Sequence, residues 1–577
     1  MEQTAYTLPG SPVITVETNV PCAMRDGTVL RADVYRPEGD EALPVLLLRT
    51  PYGKSNGMTI TYAHPAWYAA RGYIVVVQDT RGRWASDGEF MPFLNETEDG
   101  VDTIAWASRL PGSTGQVGTY GFSYAGATQL LPARERPEGL AAAVPAMTGS
   151  QYYEGWTYTG GALNLSFAAT WATDLATGMA RRRKDAAEIV RLGQAFQQAR
   201  GAMAALPLNA YPPLDRASAP WFFDWLDHPT YDEYWRRWSI DADYSKVTVP
   251  ALHIAGWWDV FLRGTVKNYV GMRAGAGSAE ARAAQRLVIG PWHHMPWFAL
   301  EDDPGEDAHH AVVDEMQIAY FDHVLKGKPL ADDAPVKVYV QQEGRWHSFQ
   351  EWPPAASVET SWHLHSAGSA NSRWGDGQLS LEPAGEEPPD RYGYDPLAPS
   401  MSHGGHSCCF DHISPMGPAD QGAAERWNGM LVYTSEPLER DLLLVGDARV
   451  VLHAASSAVD TDWAVRLCIV NPDGQSTNVQ EGIVRARYRH GTDHVELLTP
   501  HEVEAYEIPL GPVGILVREG WRIRLDVTSS DFPLFDRNMN TGGPAFTEGV
   551  GDAVYATQSV LHDAAHPSRL ILPVVTA

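Results

Sequence analysis

The sequence predicts an α/β fold interrupted by a helical segment and followed by an all-β region. Three observations carry this. Short apolar runs alternate with amphipathic stretches through residues 1–146 and again over residues 242–354. Residues 147–241, between them, hold few strand signals. Beyond Trp352-Pro353-Pro354 the helix signals nearly vanish and period-two alternation takes over. Continuous apolar strands alternating with helices imply a parallel sheet covered on both faces.

In the first part, strands are expected at 29–35, 45–48, 73–77, 117–120 and 140–144. Helices are expected at 97–110, with Val101, Ile104, Ala105 and Leu110 near one face, and at 124–133. Residues 147–241 combine aromatic-rich loops with helical runs such as 179–200. An insertion after a central strand commonly sits over an active site, so this stretch reads as a helical cap. Alternation resumes with strands at 250–255 and 286–289, and a helix at 314–326 uses Ile318, Phe321 and Leu325. Residues 355–577 read as a β-sandwich, with strands at 449–454, 465–470 and 521–527 between Gly- and Pro-rich turns.

Composition narrows the function class. A formal net charge of -27 argues against nucleic acid or an anionic membrane as partner. No apolar run approaches the ~20 residues that span a bilayer. The four cysteines, Cys22, Cys408, Cys409 and Cys468, form neither a disulfide framework nor a CxxC zinc pair. The first residues lack the basic start and apolar run of a secretory leader. The expectation is a cytoplasmic, reducing setting.

Chemistry enters at Gly121-Phe-Ser123-Tyr-Ala-Gly126. This is G-x-S-x-x-G, one position away from the G-x-S-x-G of a nucleophile elbow. Small residues at -2 and +2 let strand and helix pass closely, and Gly121 with Ala125 meets that need. Alone the motif is weak, since a serine at a helix N-terminus is more often a simple cap. Its placement between an apolar strand and a helical run strengthens it. A serine nucleophile needs a base, and the base an orienting carboxylate, on loops after later strands. Asp259 follows the strand at 250–255, and His293 and His294 follow the strand at 286–289. The rival readings are a helix cap for Asp259 and loop histidines without a role. The order Ser, Asp, His at three strand ends favours the catalytic reading.

The same residues carry a family resemblance. Arg49-Thr-Pro-Tyr52, Gln78-Asp-Thr-Arg-Gly82, Gly121-Phe-Ser-Tyr124, Gly256-Trp-Trp-Asp259 and Gly290-Pro-Trp-His-His294 carry it in the first part. Ser457-Ala-Val-Asp-Thr-Asp462, Asp536-Arg-Asn-Met-Asn-Thr-Gly-Gly543 and His566-Pro-Ser568 carry it in the β part. With these motifs the chain resembles the CocE/NonD, or cocaine esterase-like, hydrolases. That family is related to the X-Pro dipeptidyl-peptidases and α-amino acid ester hydrolases. The resemblance implies an α/β-hydrolase domain with an inserted helical cap and a C-terminal jelly roll. It places the catalytic histidine at His294 and makes Tyr52, through its hydroxyl, an oxyanion donor beside the backbone amide of Tyr124. It also implies that Trp156, Trp171, Phe261 and Phe410 line an apolar acyl pocket, with Cys409 where an apolar residue usually stands. Each of these aromatics has a second reading as cap core, and Tyr52 a second reading as a packing tyrosine.

The expected function is therefore serine carboxylesterase action on small esters, without cofactor or metal. The family also implies a homodimer. Val260, Phe261 and Leu262 after Asp259 disfavour recognition of a free amine, although Glu301-Asp-Asp303 could revive it. Asp79, Arg81, Asp87 and Glu89 read as a structural turn network. His309-His310 and His406-Ser-Cys-Cys409 lack a third ligand set at metal spacing. The alternatives are a peptidase or amide acylase and a non-catalytic binding protein on a hydrolase scaffold.

Overall fold

In the computed structural model, residues 3–7, 12–55, 61–294, 297, 310–410, 413–414 and 416–576 are described. Glu301-Asp-Asp303 and His309 lie outside them, as do the side chains of residues 310 and 311. Strands β1 (Gln3–Thr7), β2 (Val13–Ala23), β3 (Val29–Pro37), β4 (Leu43–Thr50), β5 (Ile74–Asp79), β6 (Ser113–Phe122) and β7 (Leu140–Ala146) come from the first part. β8 (Leu252–Trp258), β9 (Arg286–His293), β10 (Val336–Val340) and β11 (Arg345–Phe349) complete an 11-stranded sheet. Its order is β1-β2-β3-β5-β4-β6-β7-β8-β9-β10-β11. From β5 through to β10 every neighbouring pair is parallel. The antiparallel strands β1 to β3 and β11 flank that block.

Both faces of the parallel block are buried, so β5 and β8 are buried along their whole length and their apolar runs are continuous rather than alternating. Leu46, Leu48, Val75 and Val77 point to one core, and Val45, Leu47, Ile74 and Val76 to the other. Helix His310–Lys326 covers the first face with Ile318, Phe321 and Leu325. Helix Glu96–Ser108 covers the second with Ile104 and Ala107, so Leu110 falls past its end.

Between β7 and β8 stand helices Leu165–Arg183, Ala186–Gln197, Ala199–Ala202, Pro220–Asp227 and Glu233–Arg236. The single helical run expected at 179–200 is divided. Lys184 takes a left-handed φ of 58° that ends the first helix, and the Asp185 side chain accepts from Glu188 N to start the next. The first helix begins at Leu165, well before the run that periodicity had marked.

The remainder is all-β, a second 11-stranded hydrogen-bonded set. Its expected strands fall within Leu442–Ser456, Asp462–Val470 and Arg522–Thr528. Trp463, Leu467, Tyr506 and Leu525 belong to its core. The motif residues of this part form a buried ionic network. Arg485 pairs with Asp462 at 2.9 Å and Asp536 at 3.0 Å, and Arg487 with Asp460 at 2.6 Å. Asn538 donates to both Asp460 and Asp462. Asp536 also accepts from Leu163 N at 2.7 Å, which fastens this region to the segment before the first cap helix. No helix among the described residues is long and apolar enough to cross a membrane.

Candidate active site

Ser123 sits between β6 and helix Tyr124–Ala133 with φ 61° and ψ -126°. This conformation is costly for an L-residue and persists only where the surroundings fix it. Two glycines do the fixing. A Cβ on Gly121 would lie 2.6 Å from Ala125 Cβ, and one on Gly126 would lie 2.5 Å from Thr148 Cβ. The displaced second glycine of the motif thus has its own close contact, while Ala125 is the small residue that Gly121 faces.

The other two residues arrive on strand ends. β8 and β9 shift register between Gly256 and Trp258. A Cβ at Gly256 would lie 2.3 Å from the Trp292 carbonyl, so glycine brings the loop of Asp259 against that of His294. His294 Nδ1 lies 2.6 Å from Asp259 Oδ1, and its Nε2 lies 3.0 Å from Ser123 Oγ. All three side chains are buried. His293 belongs to the end of β9 and makes no part of this chain of contacts. An aspartate on Nδ1 fixes the tautomer that leaves Nε2 free to accept the serine proton.

Tyr52 lies on the loop after β4. Its backbone neighbourhood is held by Pro51 O, which accepts from Arg83 Nε at 2.8 Å and Trp84 Nε1 at 3.0 Å. Lys54 N donates to Asp79 Oδ1 at 2.7 Å, and Arg81 pairs with Asp99, so this acidic and basic cluster braces the loop. The Tyr52 hydroxyl accepts from Trp171 Nε1 at 3.1 Å and reaches the Ser123 side chain. Burial pushes its pKa well up, so the phenol keeps its proton to donate. The Tyr124 hydroxyl points elsewhere, donating to Glu96 at 2.9 Å and accepting from Phe93 N at 2.9 Å. The Tyr124 amide is the first of its helix and has no intrahelical acceptor.

A cavity of about 280 Å³ opens in front of Ser123 and His294. Tyr52, Trp171, Cys409 and Phe410 line it, as expected, together with Phe122, Phe167, Thr170, Asp174 and Cys408. Trp156 and Phe261 do not, and here the expectation is corrected. They stack on each other at 3.9 Å behind the wall, and Phe261 packs edge-on to His294 at 5.0 Å. Phe167, Thr170, Trp171 and Asp174 were readable as one face of a helix, at i, i+3, i+4 and i+7, had the helix been recognised.

Asp174 is the carboxylate among these lining residues. Burial raises its pKa, opposed by the charges of Arg83 and Arg181. Cys408 and Cys409 are bonded to each other, a pairing the sequence reading did not anticipate. Their loop is tied to the rest of the site at several points. Ser407 pairs with Asp259 in a single parallel bridge. Ser407 Oγ contacts Ser414 Oγ at 2.5 Å, which in turn donates to Ser166 Oγ at 2.8 Å on the cap helix. His406 is held through its amide and ring by Glu481 at 2.8 and 2.9 Å.

A profile of the X-Pro dipeptidyl-peptidase (S15 family) matches residues 26–296, and one of the X-Pro dipeptidyl-peptidase C-terminal non-catalytic domain matches residues 330–571. Cocaine esterase of Rhodococcus sp. (strain MB1 Bresler) is 34% identical over 576 residues, covering 97% of this chain and 99% of its own. A solved α-amino acid ester hydrolase is 25% identical with a TM-score of 0.80, covering 99% of this chain and 98% of its own. An aminopeptidase of a marine sediment archaeon (Thaumarchaeota archaeon) shares the fold, with a TM-score of 0.82 at 24% identity over 100% of this chain and 99% of its own.

Proposed function

Because this chain belongs to the CocE/NonD family of serine hydrolases, we propose that it is a carboxylesterase acting on esters with an apolar acyl group. The observation that carries the reading is the run of contacts from Asp259 through His294 to Ser123 at the floor of a largely apolar cavity. His294 Nε2 takes the Ser123 proton as Oγ attacks the ester carbonyl. Asp259 holds the imidazole and stabilises its cationic form. The Tyr52 hydroxyl and the Tyr124 amide receive the oxyanion. His294 then returns the proton to the departing alcohol and activates the water that releases the acid. Tyr52 suits its part because its oxygen accepts from Trp171 while its proton stays free for the substrate.

A second reading has one observation behind it. Asp174, one helical turn beyond Trp171, puts a carboxylate into the cavity wall. A basic amine in the substrate would answer that charge, as the name of the α-amino acid ester hydrolase relative suggests.

A panel decides between them. Matched p-nitrophenyl esters of a neutral and an amine-bearing acid, and an X-Pro anilide, are assayed with each rate divided by the compound's uncatalysed rate. Ester turnover that falls by about 10⁵- to 10⁶-fold in Ser123→Ala is expected. A fluorophosphonate should label Ser123 in the wild type. No label on the folded protein removes the hydrolase reading, and a larger rate enhancement on the anilide overturns the ester preference. A kcat/KM advantage for the amine-bearing ester that Asp174→Asn abolishes selects the second reading.

A further inference from the structure

The roof of the cavity carries two sulfurs beside the base. The sulfur atoms of Cys408 and Cys409 and a ring nitrogen of His294 all lie within 4.8 Å of one another. His294 Nδ1 is engaged by Asp259, so the nitrogen left to the cavity is Nε2. A tetrahedral zinc ion needs its sulfur ligands about 3.8 Å apart and its nitrogen ligand at about 2.0 Å, a separation open to the two sulfurs only once the bond between them is reduced. The imidazole is already backed by a carboxylate, the arrangement that orients metal-bound histidines. The bridge from Ser407 to Asp259 holds the sulfur loop against the loop of Asp259, whose carboxylate engages His294.

We propose that Cys408 and Cys409, once reduced, form with His294 a site for a thiophilic divalent cation of the Zn²⁺ class, and that the bound cation withdraws the imidazole from Ser123. The disulfide first accepts two electrons and two protons: a dithiol supplies both and closes to its own disulfide, whereas a phosphine supplies the electrons and becomes its oxide with the oxygen of a water molecule, whose two protons go to the thiols. The cation then displaces both thiol protons, making two metal–sulfur bonds and one bond to Nε2, with water in the fourth position. Nε2 offers the metal the same lone pair that would take the serine proton. Occupancy and hydrolysis are therefore mutually exclusive, and the oxidised pair admits no cation. The site would make the enzyme sensitive to soft metals only under reducing conditions.

Among the described residues, the other cysteines do not compete. Cys22 is buried, which pushes its thiol up to about 12, and burial raises the Cys468 thiol also. Cys468 lies with Glu425 and Asp526, but Arg524 pairs with Glu425, and Arg466 and Arg524 both offset the charge of Asp526.

Binding by the sulfurs stands apart from the esterase proposal, while loss of hydrolysis rests on it. The two are read separately by titrating Cd²⁺ into phosphine-reduced protein, following both the thiolate-to-metal ultraviolet band and ester turnover. One Cd²⁺ per chain with a thiolate band is expected, with turnover falling about tenfold or more at one equivalent and returning on adding EDTA. Unreduced protein should show neither. Ser123→Ala, which hydrolyses nothing, should keep the band and its stoichiometry. The double variant Cys408→Ser, Cys409→Ser, scored against its own metal-free rate, should need about tenfold more Cd²⁺ or above. Absence of the band in reduced wild type overturns the site. A band with undiminished turnover overturns the part played by His294, and equal sensitivity in the double variant overturns that of the cysteines. If that variant does not fold, the contrast between reduced and unreduced wild type decides.

Discussion

The floor of the cavity hangs from strand ends, whereas its roof is assembled from two segments that share no secondary structure. Ser123, Asp259 and His294 follow β6, β8 and β9, and Gly121, Gly126 and Gly256 set the spacing where a single Cβ would collide. The roof combines one face of helix Leu165–Arg183 with residues 408–410 from the all-β region. Side-chain contacts join these two, among them the hydroxyl chain Ser407, Ser414 and Ser166. The floor is a backbone construction that tolerates little change. The roof can exchange side chains without disturbing the sheet. On the proposed function, reaction type and substrate choice fall in structurally separate parts of one chain.

The contrast can be broken by substitution, and the largest effect belongs to the floor. Asp259→Asn should lower kcat about 10⁴-fold with KM little altered, because the wrong imidazole tautomer then faces Ser123. A comparable rise in KM would show that the floor also selects substrate. Tyr52 stands between the two regions, touching both Ser123 and Trp171. Tyr52→Phe should lower kcat by about 10² to 10³, the cost of one oxyanion donor. A loss confined to KM would move Tyr52 to the roof.

The smallest effect should come from an anchor of the roof loop. Glu481 is buried, which raises its pKa, but the charge of His406 and its hydrogen bonds outweigh this and hold it at about 2, against an ordinary 4.5. A depressed carboxyl stabilises the fold above its unfolded value, and that contribution is lost as pH falls from there towards 2. Glu481→Gln should therefore cost at most about 3 kcal/mol near neutral pH, with the gap to wild type closing below about pH 4.5. Denaturant midpoints measured from pH 7 to pH 3 test this. A gap that is constant with pH would show that the His406 contact is not ionic.

The same division explains what the sequence revealed. Strand-end residues stand beside apolar runs and glycines, so Ser123, Asp259 and the pair His293 and His294 stood out from local pattern and order, and the family resemblance singled out His294. Trp171, Cys409 and Phe410 were reached only by family resemblance, which also brought in Trp156 and Phe261. Those two are one layer too deep, and no local signal separates an aromatic that lines a wall from one that backs it. Helix Leu165–Arg183 escaped notice because it is buried on most sides, leaving no polar stripe to mark its period. Asp174 went unseen with it. The pairing of Cys408 with Cys409 had no signal in the sequence, since adjacent cysteines close no chain loop of the kind a disulfide framework uses.

The tie between residues 407–410 and the floor also sets an order of events during synthesis. The ribosome makes β6, β8 and β9 before the roof loop, and that loop's partner Glu481 emerges later still. A nascent chain carries Ser123, Asp259 and His294 with no finished chamber around them until the all-β region folds back. Closure of the cavity therefore waits on the all-β region that supplies residues 408–410.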